Sequence, residues 1–367
     1  MIGQHFSELD TPALGIDLDQ MSCNMQAMAS LLHSKGKQWR PHAKCHKLPA
    51  IAHLQQQYGA IGVTCAKASE AEVFAYAGIS DILIANMIVG TPKLERVAAM
   101  CHWCRPIVAV DHFVQAAALS ETCQRRGVRC RIVMEVNIGL NRVGIRAGAD
   151  ARDLARGLGT LTGVELVGIM GYEGHLCVVP DAAEKRHRIH SAMNILEEAR
   201  DQMRRDGLCC DIISAGGTAT YQDACEHPAV TELQCGGGIF ADPFYLQAGV
   251  VGLEPALRLL TTVVSRPSLE RAVLDVGRKS LHPDVFPPVF HSTAAGRLLS
   301  DIQMKSISAE HLTLELGAGS QFLQIGDKIQ IIPGYADHTT PLHTHFYGLR
   351  NGIVETMWPI AARGMIQ

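Results

Sequence analysis

Strand-like and helix-like patterns alternate from near the start of the chain to about residue 240, and this alternation limits the possible folds more than any other feature. Short runs of apolar and β-branched residues predict strands, and longer stretches with helical periodicity predict helices. Strands that alternate with helices pair in parallel, and a series of this length favours a (β/α)₈ barrel. A doubly wound open sheet is the structural alternative.

The predicted elements cover most of this region, and several predicted helices are followed by a glycine. Glycine just past a helix end permits the left-handed conformation that terminates a helix. These glycines are Gly36, Gly59, Gly78, Gly127 and Gly207. The predicted strands are Ala13–Asp17, Gln38–Pro41, Ile61–Cys65, Ile82–Ala85, Ile107–Val110, Ile132–Val136, Leu166–Met170, Ile212–Ser214 and Val230–Gln234, and the predicted helices include Gln20–Lys35, Glu70–Ala77, Thr91–Cys101, Phe113–Arg126 and Ala182–Asp206.

The pattern changes after about residue 255, where β-type runs follow one another with few helical stretches between them. Asn351-Gly352 is a strong signal for a β-hairpin turn. A length of 367 residues suits a barrel with a second module. We therefore predict a (β/α)₈ barrel over residues 15–250 and a mainly β domain formed by residues 1–14 and 251–367. The β-type runs of the second domain are Arg271–Asp275, His311–Leu316, Lys328–Ile332 and Ile353–Trp358.

Composition argues against several classes of partner. The net charge is −3 and no long basic run is present, which argues against nucleic acid or an anionic membrane surface as the main partner. The first residues lack the apolar segment of a secretion signal, and no apolar run reaches the roughly 18 residues of a membrane span. Together with twelve scattered cysteines, typical of reduced thiols, this predicts a cytoplasmic protein.

The run RPHAKCHK at Arg40–Lys47 follows a predicted strand and precedes a helical pattern. This position is the rim of a parallel barrel, where catalytic side chains gather. Lys44 lies there between His42 and Cys45, and the chemistry that best suits a lysine at this place is a Schiff base with a carbonyl carbon. A solvated basic turn is the alternative interpretation.

Two glycine-rich segments follow later strands, Ala215-Gly216-Gly217-Thr218 and Cys235-Gly236-Gly237-Gly238. Backbone N–H groups without a neighbouring Cβ can surround a phosphate. Neither segment matches a nucleotide-binding loop, so a small phosphorylated cofactor fits better than a nucleotide. Two tight turns are the alternative. A lysine and two phosphate-binding segments on one barrel rim suggest pyridoxal 5′-phosphate (PLP).

The sequence also resembles the fold-type III PLP enzymes of the D-threonine aldolase and D-serine dehydratase group, which are relatives of alanine racemase. The resemblance runs from Asp10-Thr11-Pro12 to Ala362-Arg363-Gly364, and its motifs occur in order along the chain. They are RPHAKCHK, AKASEAE at Ala66–Glu72, EVNIGLNRVG at Glu135–Gly144, SAGGTAT at Ser214–Thr220, TELQCGG at Thr231–Gly237, PGYADHTT at Pro333–Thr340 and VETMWPIAARG at Val354–Gly364.

The resemblance implies roles for individual residues. Lys44 matches the lysine that carries PLP, Arg142 matches an arginine near the cofactor ring, and Tyr172 matches a cofactor-site tyrosine. An arginine near the pyridine nitrogen would disfavour protonation of that nitrogen. The resemblance further implies a homodimer with the active site between barrel and β domain and the partner subunit nearby. The residues that match the phosphate-binding segments are Gly216, Gly217, Thr218, Gly236 and Gly237.

The sequence departs from this family at the metal-binding motif. Metal-dependent members carry His-x-Asp or His-x-Cys where this chain has Tyr335-Ala336-Asp337. A neutral phenol is a poorer ligand than imidazole for a first-row metal such as Mn²⁺ or Zn²⁺. If a divalent metal is bound, Asp337 and His343 are the candidate ligands, with His338 and His345 as further donors. A polar loop around the domain interface is the alternative.

A second departure concerns the catalytic base. The family aldolases place a histidine six residues after the cofactor-site tyrosine, where this chain has Val178. Glu173 and His175 lie closer to Tyr172 in the sequence and are candidates for that role. We list Lys44, His175 and Tyr335 as the candidate catalytic residues.

Three functions are consistent with these patterns. The first is a PLP-dependent lyase that cleaves D-β-hydroxy amino acids between Cα and Cβ to glycine and an aldehyde, or removes water in a dehydratase variant. The second is a metal-free amino acid racemase or epimerase that uses Lys44 and Tyr335 as its two acid–base groups. The third is a non-catalytic PLP carrier, which the presence of a second domain argues against. In each case the expected ligands are small molecules: an amino acid substrate for the lyase and the racemase, and PLP alone for the carrier.

Overall fold

The structure is a computed structural model that describes all residues 1–367. Its contacts divide the chain into two compact units. A β unit contains residues 1–25, 237–247 and 251–363, and a barrel unit contains residues 26–236, 248–250 and 364–367. No helix has the length and apolar character that a membrane span requires.

The strands follow the sequence pattern closely, and each predicted strand is present within a few residues of its expected bounds. In chain order they are β1 Ala13–Asp17, β2 Gln38–Trp39, β3 Val63–Cys65, β4 Asp81–Ile84, β5 Arg105–Val110, β6 Cys130–Asn137, β7 Ile145–Arg146, β8 Val164–Met170, β9 Ile212–Ala215, β10 Glu232–Leu233, β11 Leu257–Ser268, β12 Arg271–Leu274, β13 Val289–Thr293, β14 Ile302–Ile307, β15 Leu312–Leu316, β16 Lys328–Ile332, β17 His345–Arg350 and β18 Ile353–Pro359.

Helices lie between the barrel strands, and the five predicted helices are confirmed with small shifts at their ends. The predicted terminating glycines all adopt positive φ, for example +67° at Gly36 and +65° at Gly127. The helices are α1 Leu18–Ser34, α2 Pro49–Gln57, α3 Ala68–Tyr76, α4 Thr91–Met100, α5 Phe113–Arg125, α6 Ala149–Gly159, α7 Ala182–Arg205, α8 Tyr221–Ala224, α9 Pro243–Gln247 and α10 Ala336–Thr339.

The barrel unit is a closed parallel barrel. Its strands pair in the order β2-β10-β9-β8-β6-β5-β4-β3, and all of these pairings are parallel. The parallel bridges Trp39↔Ala60 and His42↔Thr64 join the two ends of this order. The predicted (β/α)₈ barrel is therefore confirmed, and the open doubly wound sheet is excluded.

Apolar side chains from successive strands meet inside the barrel. Leu83, Ile107, Val133 and Met170 form one buried cluster with Ala109. Since residues two apart on a strand share a face, the interior face of β6 continues from Val133 to Glu135 at the carboxyl end. Polar side chains at this end of the barrel therefore face the rim where active sites form.

The opposite end of the barrel interior is closed by charged side chains. The Arg40 guanidinium is 2% exposed and donates to Glu232 at 3.0 Å and to Asp81 at 2.7 Å. Removing one partner of such a buried ion pair costs about 3–5 kcal/mol, because the other charge is left without a partner. Arg40 is thus a structural member of the Arg40–Lys47 run.

The β unit is built on a second, mainly antiparallel sheet of nine strands. Its path runs β14-β15-β12-β11-β1-β17-β18, with β13 and β16 attached through β11. Strand β1 pairs antiparallel with β11 and parallel with β17, so it belongs to this sheet and does not pair with the barrel strands. The second, mainly β domain predicted from the sequence is confirmed.

Candidate active site

Lys44 lies in a 3-10 turn, Ala43–Cys45, in the segment that follows the first barrel strand, β2, at the carboxyl end of the barrel. The turn is capped by His42, whose Nδ1 accepts a hydrogen bond from the Lys44 backbone N–H at 3.3 Å. Burial lowers the pKa of His42 well below its usual value, and the cations Lys44, Lys47 and Arg142 lower it further. His42 is therefore neutral at physiological pH and can act as the acceptor that fixes this turn.

Three of the predicted site residues are brought together at this rim. The Arg142 guanidinium lies 5.4 Å from the centre of the Tyr172 ring, within the range of a cation–π contact. Burial, and then Glu173, raise the pKa of the nearby Cys177 thiol, while Tyr172, Lys185 and Lys44 act in the opposite direction. Lys44, Arg142 and Tyr172 thus converge as the sequence predicts.

The first glycine segment packs against the same tyrosine. A Cβ added at Gly217 would lie 2.7 Å from the Tyr172 ring, and Gly216 has a φ of +73° that favours glycine. The N–H groups of Gly216 and Gly217 are directed at the carboxylate of Glu173, at 3.5 and 3.3 Å, and the Thr220 hydroxyl also donates to it. These two N–H groups therefore already have a carboxyl acceptor, whose pKa is raised by burial.

The next N–H groups along the chain have no protein acceptor. Thr218 and Ala219 are 5% and 7% exposed, and their backbone N–H groups make no hydrogen bond to the protein. The same holds for buried Gly236, where a Cβ would collide with the carbonyl oxygen of His42. Buried N–H groups without acceptors are rare in native proteins, and consecutive ones bind anions. These donors fit the phosphate of PLP, and Ala219 was not anticipated from the sequence.

The predicted phosphate-binding residue Gly237 lies in the β unit. A Cβ at this position would collide with the ring of Tyr245, so close aromatic packing is one sufficient reason for glycine there. The sequence pattern alone does not distinguish this reason from phosphate binding. A role for Gly237 in binding the cofactor stays a prediction.

The two candidate bases, Glu173 and His175, differ in their exposure to solvent. Glu173 is fully buried and held by Thr220 and the glycine segment, so its position indicates support of that segment. His175 is exposed, and its ring lies against Gly139, where a Cβ would be 2.8 Å from Nε2. Partial burial and then Arg188 lower the pKa of His175, so its imidazole is neutral near pH 7 and can accept a proton.

In the β unit, Tyr335 and Asp337 form a hydrogen-bonded pair. Tyr335 precedes the short helix α10, and its hydroxyl donates to Asp337 Oδ2 at 2.8 Å. The Tyr335 ring packs edge-on against Phe244 and His338, with centroids 5.2 and 5.0 Å apart. Asp337 is only 8% exposed, so the phenol is held in a defined orientation beside a carboxylate.

The donors predicted for a metal do not assemble into a metal site. His343 Nε2 donates to the Ser280 carbonyl oxygen at 2.7 Å, and Asp337 accepts a hydrogen bond from the Tyr335 hydroxyl. Burial lowers the pKa of His343, which keeps the ring neutral. No group of three or more His, Cys, Asp or Glu side chains is placed to hold a metal ion. We therefore derive no catalytic step through a metal.

Comparison with known families matches both parts of the chain. Residues 16–243 match the alanine racemase N-terminal domain. Residues 256–349 match the family described as "Putative serine dehydratase domain". The two matches follow one another along the chain and together span both the barrel strands and most of the β-rich region.

Individual relatives cover nearly the whole chain. A D-threonine aldolase from Arthrobacter sp. is 32% identical over 99% of this chain and 95% of its own length. A 3-hydroxy-D-aspartate aldolase from Paracoccus denitrificans (strain Pd 1222) is 32% identical over 99% of this chain and 94% of its own length.

The fold agrees with this assignment. The crystal structure of D-threonine aldolase from Filomicrobium marinum superimposes with a TM-score of 0.96 and 35% identity, covering 100% of this chain and 99% of that one. With the lysine-bearing rim and the buried N–H donors described above, these matches identify the chain as a member of the PLP-dependent lyase family that has an alanine racemase-type N-terminal domain and includes D-threonine aldolase.

Proposed function

We propose that this protein cleaves D-configured β-hydroxy amino acids between Cα and Cβ, releasing glycine and an aldehyde. The observation that carries the proposal is the barrel rim itself. It presents Lys44 together with three buried N–H groups, of Thr218, Ala219 and Gly236, that lack a protein acceptor. The D-threonine and 3-hydroxy-D-aspartate aldolases that this chain resembles support the reaction and its D-configuration.

The residues of the barrel unit would hold PLP and the substrate. Lys44 would bind the cofactor covalently, and the N–H groups of Thr218, Ala219 and Gly236 would receive its phosphate. Bound PLP supplies an electron sink for the pair of electrons left on Cα when the bond to Cβ breaks. Arg142, always charged and without a hydrogen-bond partner, is available to an anionic group of the cofactor or substrate.

Cleavage requires that the β-hydroxyl lose its proton and that Cα gain one. Neutral His175 and the Tyr335–Asp337 pair are the proposed proton carriers. A phenol that donates to a carboxylate has one defined proton, and general acid–base groups of this kind contribute about 10²–10⁴-fold to rate. Elimination of water, giving an oxo acid and ammonia, would be the dehydratase variant of the same chemistry.

A racemase is the second candidate, and one observation favours it. The phenol of Tyr335 is fixed by Asp337 at 2.8 Å, an arrangement suited to direct proton transfer at a substrate carbon. In that case Lys44 and Tyr335 would exchange the Cα proton on opposite faces, and the carbon skeleton would stay intact. A PLP carrier without turnover is the third candidate.

The assembly and location proposed here are a homodimer in the cytoplasm. The family resemblance supports the homodimer. All twelve cysteines are free thiols, which suits a reducing compartment.

A substrate panel tests the proposal. Holoenzyme would be incubated with D- and L-β-hydroxy amino acids, and glycine, aldehyde, oxo acid and inverted amino acid would be quantified. We expect glycine and aldehyde in equal amounts from D-substrates only. Inversion without aldehyde would favour the racemase, and absence of any product across the panel would leave the carrier.

A further inference from the structure

Glu135 is a buried carboxylate that none of the roles above uses. It lies on β6, two residues beyond Val133, and therefore on the interior face of the barrel near its carboxyl end. It is 4% exposed, and no hydrogen bond or ion pair connects its side chain to the protein. A carboxylate buried in this way is costly unless a charge or a ligand faces it.

The space in front of Glu135 belongs to the active site. Glu135, Arg142 and Tyr172 lie around one crevice together with residues of the loop after β6, and this crevice is too narrow to admit a water molecule. Arg142 is the cation of this crevice, and its guanidinium lies over the Tyr172 ring. Glu135 and Arg142 thus border the same crevice, without a direct ion pair between them.

Few charged groups face Glu135. Arg142 approaches from the loop that follows β6, and Asp111 from the loop that follows β5. On β8 the paired residue is the apolar Met170. Asp111 is already used, because its carboxylate accepts hydrogen bonds from Gly144 N and Gln115 Nε2, each at 2.8 Å. Arg142 is the cation whose charge opposes the rise in the pKa of Glu135.

We propose that Glu135 is a positioning residue, whose negative charge acts across the crevice and keeps the Arg142 guanidinium over Tyr172, where it meets the cofactor or substrate. Glu135 is buried, so its charge acts through surroundings less polar than water, whereas the exposed guanidinium of Arg142 is partly screened by solvent. Burial raises the pKa of Glu135 to about 7, against the opposing effect of Arg142. The charge that positions Arg142 is therefore lost as the pH falls below neutrality.

This inference deepens the proposed function, but its first test does not depend on turnover. Holoenzyme labelled with ¹³C at the glutamate carboxyl would be titrated by NMR, and the Glu135 resonance assigned by its loss in Glu135→Gln. We expect a midpoint near pH 7, which Arg142→Gln raises by about one pH unit or more, because a nearby cation lowers a carboxyl pKa by that amount.

A kinetic test uses the same variants. Glu135→Gln should raise KM for a D-β-hydroxy amino acid by about tenfold and remove the acidic limb near pH 7 from kcat/KM, with little further loss when combined with Arg142→Gln. Glu165→Gln is the matched control, since Glu165 lies on neighbouring β8 but is exposed. The proposal would be overturned if the titration midpoint of Glu135 had the usual value of a glutamate, or if Arg142→Gln did not move it. Additive effects of the two substitutions on kcat/KM would also overturn it. Should Glu135→Gln fail to fold, the shift of a neutral-pH glutamate resonance in Arg142→Gln still decides it.

Discussion

Lys47 Nζ lies 2.6 Å from Glu70 Oε1, and this buried ion pair distinguishes Lys47 from Lys44, the other lysine of the Arg40–Lys47 run. Glu70 is fully buried and also accepts the Ala66 N–H at 2.7 Å, so its position is fixed. The Lys47 side chain is thereby engaged by a fixed carboxylate, while Lys44 lies at the rim.

We therefore predict that PLP is attached to Lys44 alone. Borohydride reduction of the yellow holoenzyme, absorbing near roughly 410–430 nm, followed by digestion should place the pyridoxyl group on Lys44. Lys44→Ala should abolish turnover with little change in the unfolding temperature, because a rim lysine contributes little packing. Recovery of the label on Lys47 or Lys67 in the native protein would contradict the assignment. Glu70→Gln should allow part of the label to appear on Lys47.

Gly217 should tolerate no side chain without loss of PLP affinity. In Gly217→Ala the new Cβ would lie 2.7 Å from the Tyr172 ring, so either the ring or the glycine segment must move. We expect the dissociation constant for PLP, measured by fluorescence titration of the apoprotein, to rise at least about tenfold, equivalent to 1.4 kcal/mol. Gly157→Ala is the control, because its Cβ would meet only the Phe113 side chain, at 3.1 Å. Equal PLP affinity in Gly217→Ala and the native protein would remove this segment from the cofactor site.

The Tyr335–Asp337 pair should support turnover without a divalent metal. Because the phenol donates to Asp337 at 2.8 Å, we expect EDTA-treated holoenzyme to retain its activity, and Tyr335→Phe to lose about 10²–10⁴-fold in kcat. Metal content by mass spectrometry provides an independent readout. A metal-dependent lyase with Asp337 as a ligand would give the opposite result. EDTA would abolish its activity, Mn²⁺ or Zn²⁺ would restore it, and Tyr335→Phe would leave it unchanged.

His46 should make the protein sensitive to acid. Its ring is fully buried, and burial lowers its pKa to about 3 in the folded state. The unfolded state therefore binds a proton at higher pH than the folded state does. Stability from this residue is present above pH 6.5 and is lost towards pH 3, by up to about 1.4 kcal/mol per pH unit.

Replacement of this ring tests the prediction. His46→Asn keeps an acceptor for the Leu48 N–H, which His46 Nδ1 binds at 3.0 Å, but removes the titrating ring. Urea unfolding between pH 4 and 7 should show a smaller loss of stability on acidification than in the native protein. His112→Asn is the control, because exposed His112 also accepts the N–H two residues further along the chain, that of Val114 at 3.2 Å. The same slope in His46→Asn and the native protein would refute this account.

Much of the fold could be predicted because its signals are local. Strand and helix periodicity and the glycines that end helices are properties of neighbouring residues, and Gly36 and Gly127 adopt the expected positive φ. The partner of a strand is not a local property. Ala13–Asp17 is a strand as expected, but it pairs with β11 and β17 in the second sheet, because pairing depends on contacts between residues distant in sequence.

The features of the candidate site also fall into those that the sequence predicts and those that it does not. Lys44 is a candidate because it follows a strand at the barrel rim, whereas Arg142 and Tyr172 are candidates because of the family resemblance, and the structure places these two in contact. The burial of each side chain, and whether each polar group has a hydrogen-bond partner, could not be predicted from the sequence. Glu173 appeared suitable as a base until the structure placed its carboxylate fully inside the protein against Thr220. Ala219 carries no side-chain signal, and only its N–H without a protein acceptor makes it a candidate phosphate donor.

The central claim is cleavage of the Cα–Cβ bond, and proton NMR of a single reaction in D₂O tests it most directly. The holoenzyme would be supplied with a D-β-hydroxy amino acid and followed without quenching. If the protein is the proposed lyase, glycine appears with one deuterium at Cα, because solvent supplies the proton that replaces Cβ, and aldehyde appears at the same rate. Exchange of the Cα hydrogen in an otherwise intact amino acid, with neither glycine nor aldehyde formed, would contradict the account.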